Sequence, residues 1–372
     1  MARIGVVGLG AMGLGIAQVY AQAGFDVVAT DAHSAAREAA ADRLRGTLDA
    51  RVAAGKLAPE ARDATLARLH IVNEIGALAG CDMVVEAIVE NPDVKSALLR
   101  DIEGVVAEGA ILATNTSALS VAALAESLRR PDHVLGLHFF NPVPVMRLVE
   151  LVAHEGTAPD ALSKARTLTE ASGKTVIACA DRPGFIVNRC ARPFYGEALA
   201  LIGEGRTASE VDAAMIKAGY RMGPLSLIDL IGADVHLAAT EGMARALHDH
   251  PRYHVFAPLR AQVASGHLGR KTGRGFLYPL TPGPAPADAE AIRLRIEATL
   301  ANEAASLLAE GAVSAADIDR AMKLGLNFPR GPFESARALG LPAIRAELNR
   351  LAAAAPAQVL GRYDPVPALA AL

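Results

Sequence analysis

The chain has 372 residues, 52% of them hydrophobic, 21% charged and 4% aromatic, with no Trp. Lys plus Arg (37) against Asp plus Glu (40) leaves a net charge of −3 and a pI near 6.4. A disordered chain is excluded, and there is no basic footprint for nucleic acid. The chain enters an apolar run at once, at 4–7, with no basic region ahead of a cleavable stretch. No signal peptide is expected. Further apolar, β-rich runs follow at 27–30, 83–85, 111–113, 134–137, 148–152 and 176–178, separated by Ala/Leu-rich helical stretches. Such alternation predicts a mostly parallel sheet covered by helices. A helical insert is expected at 34–69. In it Leu44, Leu48 and Val52 share one helix face, and Gly55 and Pro59 break the run so that a second helix starts at Pro59. The uncharged run 109–125 is interrupted by Thr114-Asn115-Thr116-Ser117 and makes a poor membrane span.

After Pro183-Gly184 the strand-like runs vanish and helical patterning takes over. Four prolines in the eight residues 279–286 predict a stiff, extended linker. The segments on either side of it resemble each other. Gly196-Glu197-Ala198, Glu204-Gly205, Val211-Asp212, Met215, Gly223-Pro224 and Gly232 return as Asn302-Glu303-Ala304, Glu310-Gly311, Ile318-Asp319, Met322, Gly331-Pro332 and Gly340. The offset is 303 − 197 = 106, growing to 340 − 232 = 108. A duplicated helical module is expected, each copy gaining core by packing on the other. The expected domains are 1–183, 184–278, a linker 279–288, a second helical copy 289–355 and a tail 356–372.

Gly8-Leu9-Gly10-Ala11-Met12-Gly13 follows the first strand and opens a helix. This G-x-G-x-x-G context predicts a Rossmann-type, doubly wound sheet whose helix N-terminus faces a pyrophosphate. The second strand ends at Asp31, where a carboxylate would take the adenosine ribose and repel a 2′-phosphate. NAD is favoured over NADP, although Arg37 lies nearby. The densest polar cluster in apolar surroundings is Leu137-His138-Phe139-Phe140-Asn141-Pro142, followed by Leu148-Val149-Glu150. A His and a carboxylate brought together form a base with an orienting partner. Asn115-Thr116-Ser117 and Asn188 would join them at the sheet edge or the domain junction. The three cysteines, Cys81, Cys179 and Cys190, are widely spaced and suit a reducing compartment. His248, His250 and His254 lie in a Pro-containing segment without an accompanying Cys or carboxylate cluster, so no metal is expected.

These motifs, with Val85-Glu86-Ala87-Ile88-Val89-Glu90, Pro183-Gly184-Phe185-Ile186-Val187-Asn188-Arg189 and Gly269-Arg270-Lys271-Thr272-Gly273-Arg274-Gly275-Phe276, make residues 1–280 resemble the L-3-hydroxyacyl-CoA dehydrogenases. The resemblance implies NAD-linked oxidation of a 3-hydroxyacyl-CoA, as in fatty-acid β-oxidation. His138 would be the general base and Glu150 its partner. Ser117 and Asn188 would hold the reacting oxygen, and Asn141 would shape the site. The cofactor set would be Gly8, Gly10, Ala11, Met12, Gly13, Asp31, Ala87, Glu90, Lys95 and Asn115, with Glu90 and Lys95 on the nicotinamide side. Lys56 is the candidate contact to the CoA phosphates, and Thr47 a weaker one. As in the multifunctional relatives, the two helical copies would form an intramolecular pseudo-dimer, which leaves room for further homo-oligomerisation. The expected protein is cytoplasmic, with no nucleic-acid or membrane partner. Two other enzyme readings stay open: a 6-phosphogluconate-type β-hydroxyacid dehydrogenase, whose Gly-rich start matches equally well, and a gulonate-type sugar-acid dehydrogenase. A cofactor-binding protein without catalysis is the third. Acyl chain length is not legible, and a 3-hydroxyadipyl-CoA substrate stays open.

Overall fold

A computed structural model describes residues 2–371, and the chain divides after Arg182 into two compact units. The first unit is built on eight strands: β1 (Arg3–Val7), β2 (Asp26–Thr30), β3 (Leu69–Ile71), β4 (Met83–Glu86), β5 (Ile111–Thr114), β6 (Val134–Phe139), β7 (Leu148–Ala153) and β8 (Thr175–Ala180). They lie side by side in the order β3-β2-β1-β4-β5-β6-β7-β8. All neighbours are parallel except β6 and β7, which run antiparallel. The central strands read as unbroken apolar runs because helices cover both faces. Ile4, Val6, Val27, Met83, Val85 and Ile111 are fully buried.

Six helices surround this sheet: α1 (Ala11–Gln22), α2 (Ser34–Ala53), α3 (Pro59–Ala67), α4 (Pro92–Glu103), α5 (Val121–Ala125) and α6 (Pro159–Ala171). α1 packs Ile16, Ala17 and Tyr20 into the core, and the Tyr20 hydroxyl lies 3.0 Å from Thr169 Oγ1 on α6. The N-terminus of α1 carries no side-chain cap, which leaves its amides for a ligand. α4 is capped instead by Asn91 Oδ1, which accepts the amides of Asp93 and Val94 at 3.0 and 3.1 Å. In the insert, Leu44 and Leu48 are buried and Val52 is half-buried, and α3 begins at Pro59. Sequence periodicity overextends this insert. The last helix ends at Ala67, and Leu69–Ile71 is the edge strand beside β2, three residues being too few to carry a readable period.

Among its described residues the second unit has helices and no strand. Its centre is the helix Ala289–Ala309, which packs on Arg192–Gly203 and Ala208–Lys217 from before the linker and on Pro332–Leu339 and Leu341–Ala353 from after it. The two copies repeat the same local chemistry. Thr207 Oγ1 accepts the Glu210 amide at 3.2 Å, and Ser314 Oγ accepts the Asp317 amide at 3.1 Å. Asp212 accepts the amides of Leu225 and Ser226, and Asp319 those of Phe333 and Glu334. Burial pushes both carboxyls up, against the pull of these hydrogen bonds. The Gly-Pro landmarks follow from this packing. A Cβ on Gly223 or Gly331 would stand 2.3 or 2.2 Å from the aspartate.

Ion pairs cross between the copies reciprocally. Arg189 Nε donates to Glu303 at 2.8 Å, and Arg295 Nε donates to Glu197 at 2.9 Å, both carboxylates being fully buried. Arg189 also reaches Glu310, and Arg295 reaches Glu204. Each pair maps onto the other through the 106-residue offset. Tyr253 donates to Glu303 at 2.6 Å, while Tyr363 donates to Glu197 at 3.2 Å beside Arg362 at 2.8 Å. Arg362 and Tyr363 thus dock the terminal segment 356–369 onto the first copy. The linker is also tied down: Gly283 donates to Ser209 Oγ at 2.8 Å, and Asp288 pairs with Arg206.

Candidate active site

The strand order reverses between β1 and β4, and a parallel sheet opens a crevice at the carboxyl edge of such a point. Gly8 sits there with φ +101°, and a Cβ on it would lie 2.5 Å from the Ala87 carbonyl oxygen. A Cβ on Gly13 would lie 1.8 Å from the Gly8 carbonyl oxygen, so the turn closes only without side chains. Above Gly10 no atom comes within 4 Å, which leaves the approach that a pyrophosphate needs. Ala11 is exposed and Met12 half-buried at the start of α1. These features fit a dinucleotide.

Asp31 closes β2. Its Oδ2 accepts the Leu9 amide at 2.7 Å and its Oδ1 the His33 amide at 2.9 Å. The carboxylate expected to face a ribose therefore also braces the Gly-rich turn, and its remaining lone pairs are what a ribose would use. Arg37 donates to the carbonyl oxygens of Asp31 and Ala32.

Three loops meet beside this turn. Glu86 ends β4 in register with Val7 of β1 and Thr114 of β5. Its carboxylate accepts the Ile88 amide, the Lys95 ammonium and the Thr114 hydroxyl at 2.7, 2.6 and 2.7 Å. Lys95 is 1% exposed and also lies 3.2 Å from Glu90. Glu90 in turn accepts the Thr116 hydroxyl at 2.6 Å, the Ser117 amide at 2.8 Å and the Ser117 hydroxyl at 3.3 Å. Burial would raise the Glu90 carboxyl. The Thr116 hydroxyl, the Lys95 charge and the Ser117 amide outweigh it and hold the group below its ordinary range. Sequence reasoning assigns roles to Glu90, Lys95 and Ser117; Glu86, Thr114 and Thr116, which appear there only inside runs and motifs, join them.

His138 and Glu150 are direct partners across the antiparallel β6–β7 pair. Nδ1 lies 2.6 Å from Glu150 Oε2, with His138 6% exposed and Glu150 fully buried. An ionised carboxylate only accepts, so Nδ1 carries the proton and the neutral ring keeps its lone pair on Nε2. The Phe140 ring packs against the imidazole, centroid to centroid 4.5 Å. Asn115 Oδ1 accepts the Phe139 amide at 2.8 Å, tying the loop after β5 to the end of β6. Asn141 is exposed and forms a cis peptide with Pro142.

Asn188 lies in the short helix Val187–Cys190 of the second unit, where its carbonyl accepts Arg192 Nε at 3.0 Å. Lys56 is exposed between α2 and α3. The Thr47 hydroxyl donates to the Arg43 carbonyl within its own helix. The thiols of Cys81, Cys179 and Cys190 are buried, and burial pushes those of Cys81 and Cys179 up, away from nucleophilic use. Among the described residues no helix is long and apolar enough to cross a membrane.

Comparison with known proteins identifies the family. The family model "3-hydroxyacyl-CoA dehydrogenase, NAD binding domain" matches residues 3–182. The model "3-hydroxyacyl-CoA dehydrogenase, C-terminal domain" matches twice, at 184–278 and 292–372. The chain is 42% identical over 274 residues to 3-hydroxyadipyl-CoA dehydrogenase of Escherichia coli K12, covering 73% of this chain but 58% of that one. It is 40% identical over 280 residues to the probable 3-hydroxybutyryl-CoA dehydrogenase of Deinococcus radiodurans, covering 74% and 99%. The crystal structure of 3-hydroxybutyryl-CoA dehydrogenase from Escherichia coli K12 superposes with a TM-score of 0.91 at 32% identity, covering 100% of this chain and 98% of that one. This chain belongs to the 3-hydroxyacyl-CoA dehydrogenase family.

Proposed function

We propose that the chain catalyses reversible, NAD-dependent oxidation of (S)-3-hydroxyacyl-CoA to 3-oxoacyl-CoA. The observation that carries this reading is the buried His138–Glu150 pair, held in register by β6 and β7 in a chain of this family. His138 Nε2 removes the proton of the 3-hydroxyl, and Glu150 stabilises the imidazolium that results. The cofactor, when bound, supplies the acceptor for the C3 hydride. Ser117 holds the reacting oxygen. Asn141 shapes the pocket around it, Ala87 and Asn115 belong to the cofactor contacts, and Glu90 lies on the nicotinamide side with the buried Lys95 paired to it. In the reverse direction protonated His138 donates to the ketone. Base catalysis of this kind is worth about 10²–10⁴-fold. Lys56, an exposed cation on the α2–α3 pair, contacts a CoA phosphate.

The second helical copy supplies packing surface rather than chemistry, making an intramolecular pseudo-dimer. The reciprocal Arg189–Glu303 and Arg295–Glu197 pairs support this, because a two-fold interface joins the same patch to itself. The domains divide at 183, 278, 288 and 355, and the reaction belongs to acyl-CoA metabolism in the cytoplasm. The test is NADH oxidation with acetoacetyl-CoA, compared with NAD reduction on free 3-hydroxy acids and L-gulonate. Turnover with the CoA ester alone is expected. Activity confined to free acids would replace this reading with the sugar-acid one.

A further inference from the structure

Glu86 has no place in the chemistry above, yet it is fully buried at the point where three parts of the crevice meet. The Ala87 amide donates to the Val7 carbonyl at 2.8 Å, just before the Gly-rich turn. The Asn115 amide donates to the Glu86 carbonyl at 2.8 Å, just before Ser117. Side chain and backbone of Glu86 therefore lie between the two loops that build the site. Its carboxylate and the Lys95 ammonium, 2.6 Å apart and 0% and 1% exposed, cancel each other's formal charge. Glu90, 38% exposed, is then left as the net negative charge presented at this edge.

We propose that the buried Glu86–Lys95 pair is an electrostatic positioning device: it keeps the Glu90 charge uncancelled and so biases bound cofactor toward its oxidised form. The inference rests on the cofactor site of the proposed function. An oxidised nicotinamide ring is cationic and a reduced one is neutral, so a fixed negative charge nearby favours the oxidised ring. Without Glu86 the Lys95 charge has Glu90 as its remaining carboxylate partner, 3.2 Å away, and the two cancel.

The experiment titrates the full chain separately with NAD⁺ and NADH and compares the ratio of the two dissociation constants. Because the chain has no Trp, bound NADH is read from its own emission. Glu86→Gln keeps the shape and removes one negative charge, so Kd(NAD⁺)/Kd(NADH) should rise about three- to tenfold. Glu86→Gln with Lys95→Met restores the net charge, and the ratio should return to within about twofold of the parent. Glu90→Gln makes the same charge change at a half-exposed position without breaking the buried pair, and should move the ratio in the same direction even where Glu86→Gln fails to fold. A folded Glu86→Gln protein with an unchanged ratio would overturn the proposal. So would an unchanged ratio in Glu90→Gln, or a double variant shifted as far as the single one. A parent chain that binds neither dinucleotide would instead remove the cofactor reading itself.

Discussion

Replacing Glu150 by Gln removes one charge and almost no volume. In the parent, Oε2 stands 2.6 Å from Nδ1, and the carboxylate is fully buried, so water does not screen the pair. As His138 takes the substrate proton, its ring becomes a cation hydrogen-bonded to an anion. A hydrogen bond to a charged group contributes about 1.5–3 kcal/mol, against roughly 0.5–1.5 for a neutral one. The Gln amide can also turn its NH₂ toward the ring, which favours the tautomer with the proton on Nε2 and removes the base. The loss falls on proton transfer and not on dinucleotide binding. The difference between the charged and the neutral hydrogen bond, about 1–1.5 kcal/mol, corresponds to roughly a five- to 13-fold fall in kcat, to which the wrong tautomer adds. The assay is NADH formation from 3-hydroxybutyryl-CoA, with NADH affinity measured in parallel. A kcat within threefold of the parent would refute the reasoning, as would an NADH affinity that falls as far as kcat does.

Lys56→Ala should raise the KM for acyl-CoA several-fold, more so at low salt, and leave the KM for NAD unchanged; an equal change in both would place Lys56 outside the CoA site. Glu197→Ala leaves Arg295 and Arg362 buried without their shared carboxylate and should cost about 3–5 kcal/mol in urea unfolding. A loss under about 1 kcal/mol would mean the reciprocal pairs do not hold the helical copies together. Burial would raise the Glu103 carboxyl, but the amides of Arg129 and Arg130 and the Arg129 guanidinium hold it below its ordinary range. A lowered carboxyl stabilises the fold above its unfolded value, about 4.3, and the benefit is lost as pH falls through the folded value. The parent should therefore exceed Glu103→Gln in Tm near neutrality, and the gap should narrow below about pH 4. A gap independent of pH would contradict the assignment.

Local rules made some of the molecule legible in its sequence and left other parts hidden. Gly8, Gly10 and Gly13 announced the nucleotide turn because steric limits act within a few residues. His138 and Glu150 were visible as types, but their contact depends on β6 and β7 being antiparallel, which an alternating pattern does not specify. Lys95 looks like an ordinary charge on a helix exterior, yet it is buried by a carboxylate nine residues earlier. Glu86 stands in the sequence only as one charge of the 85–90 motif. Its role comes from Thr114 and Lys95 converging on it from two other elements. The duplication was legible as an offset. The crossing pairs it produces, such as Arg362 with Glu197 165 residues away, needed coordinates. The three-residue β3 was too short for any period to reveal.

The central claim is that His138 is the base of an acyl-CoA dehydrogenase. His138→Ala, assayed with 3-hydroxybutyryl-CoA and NAD beside a direct titration of NADH, tests it most directly. Turnover should fall at least about 10²-fold while NADH binds within about twofold of the parent. Turnover within threefold of the parent, at unchanged NADH affinity, would contradict it.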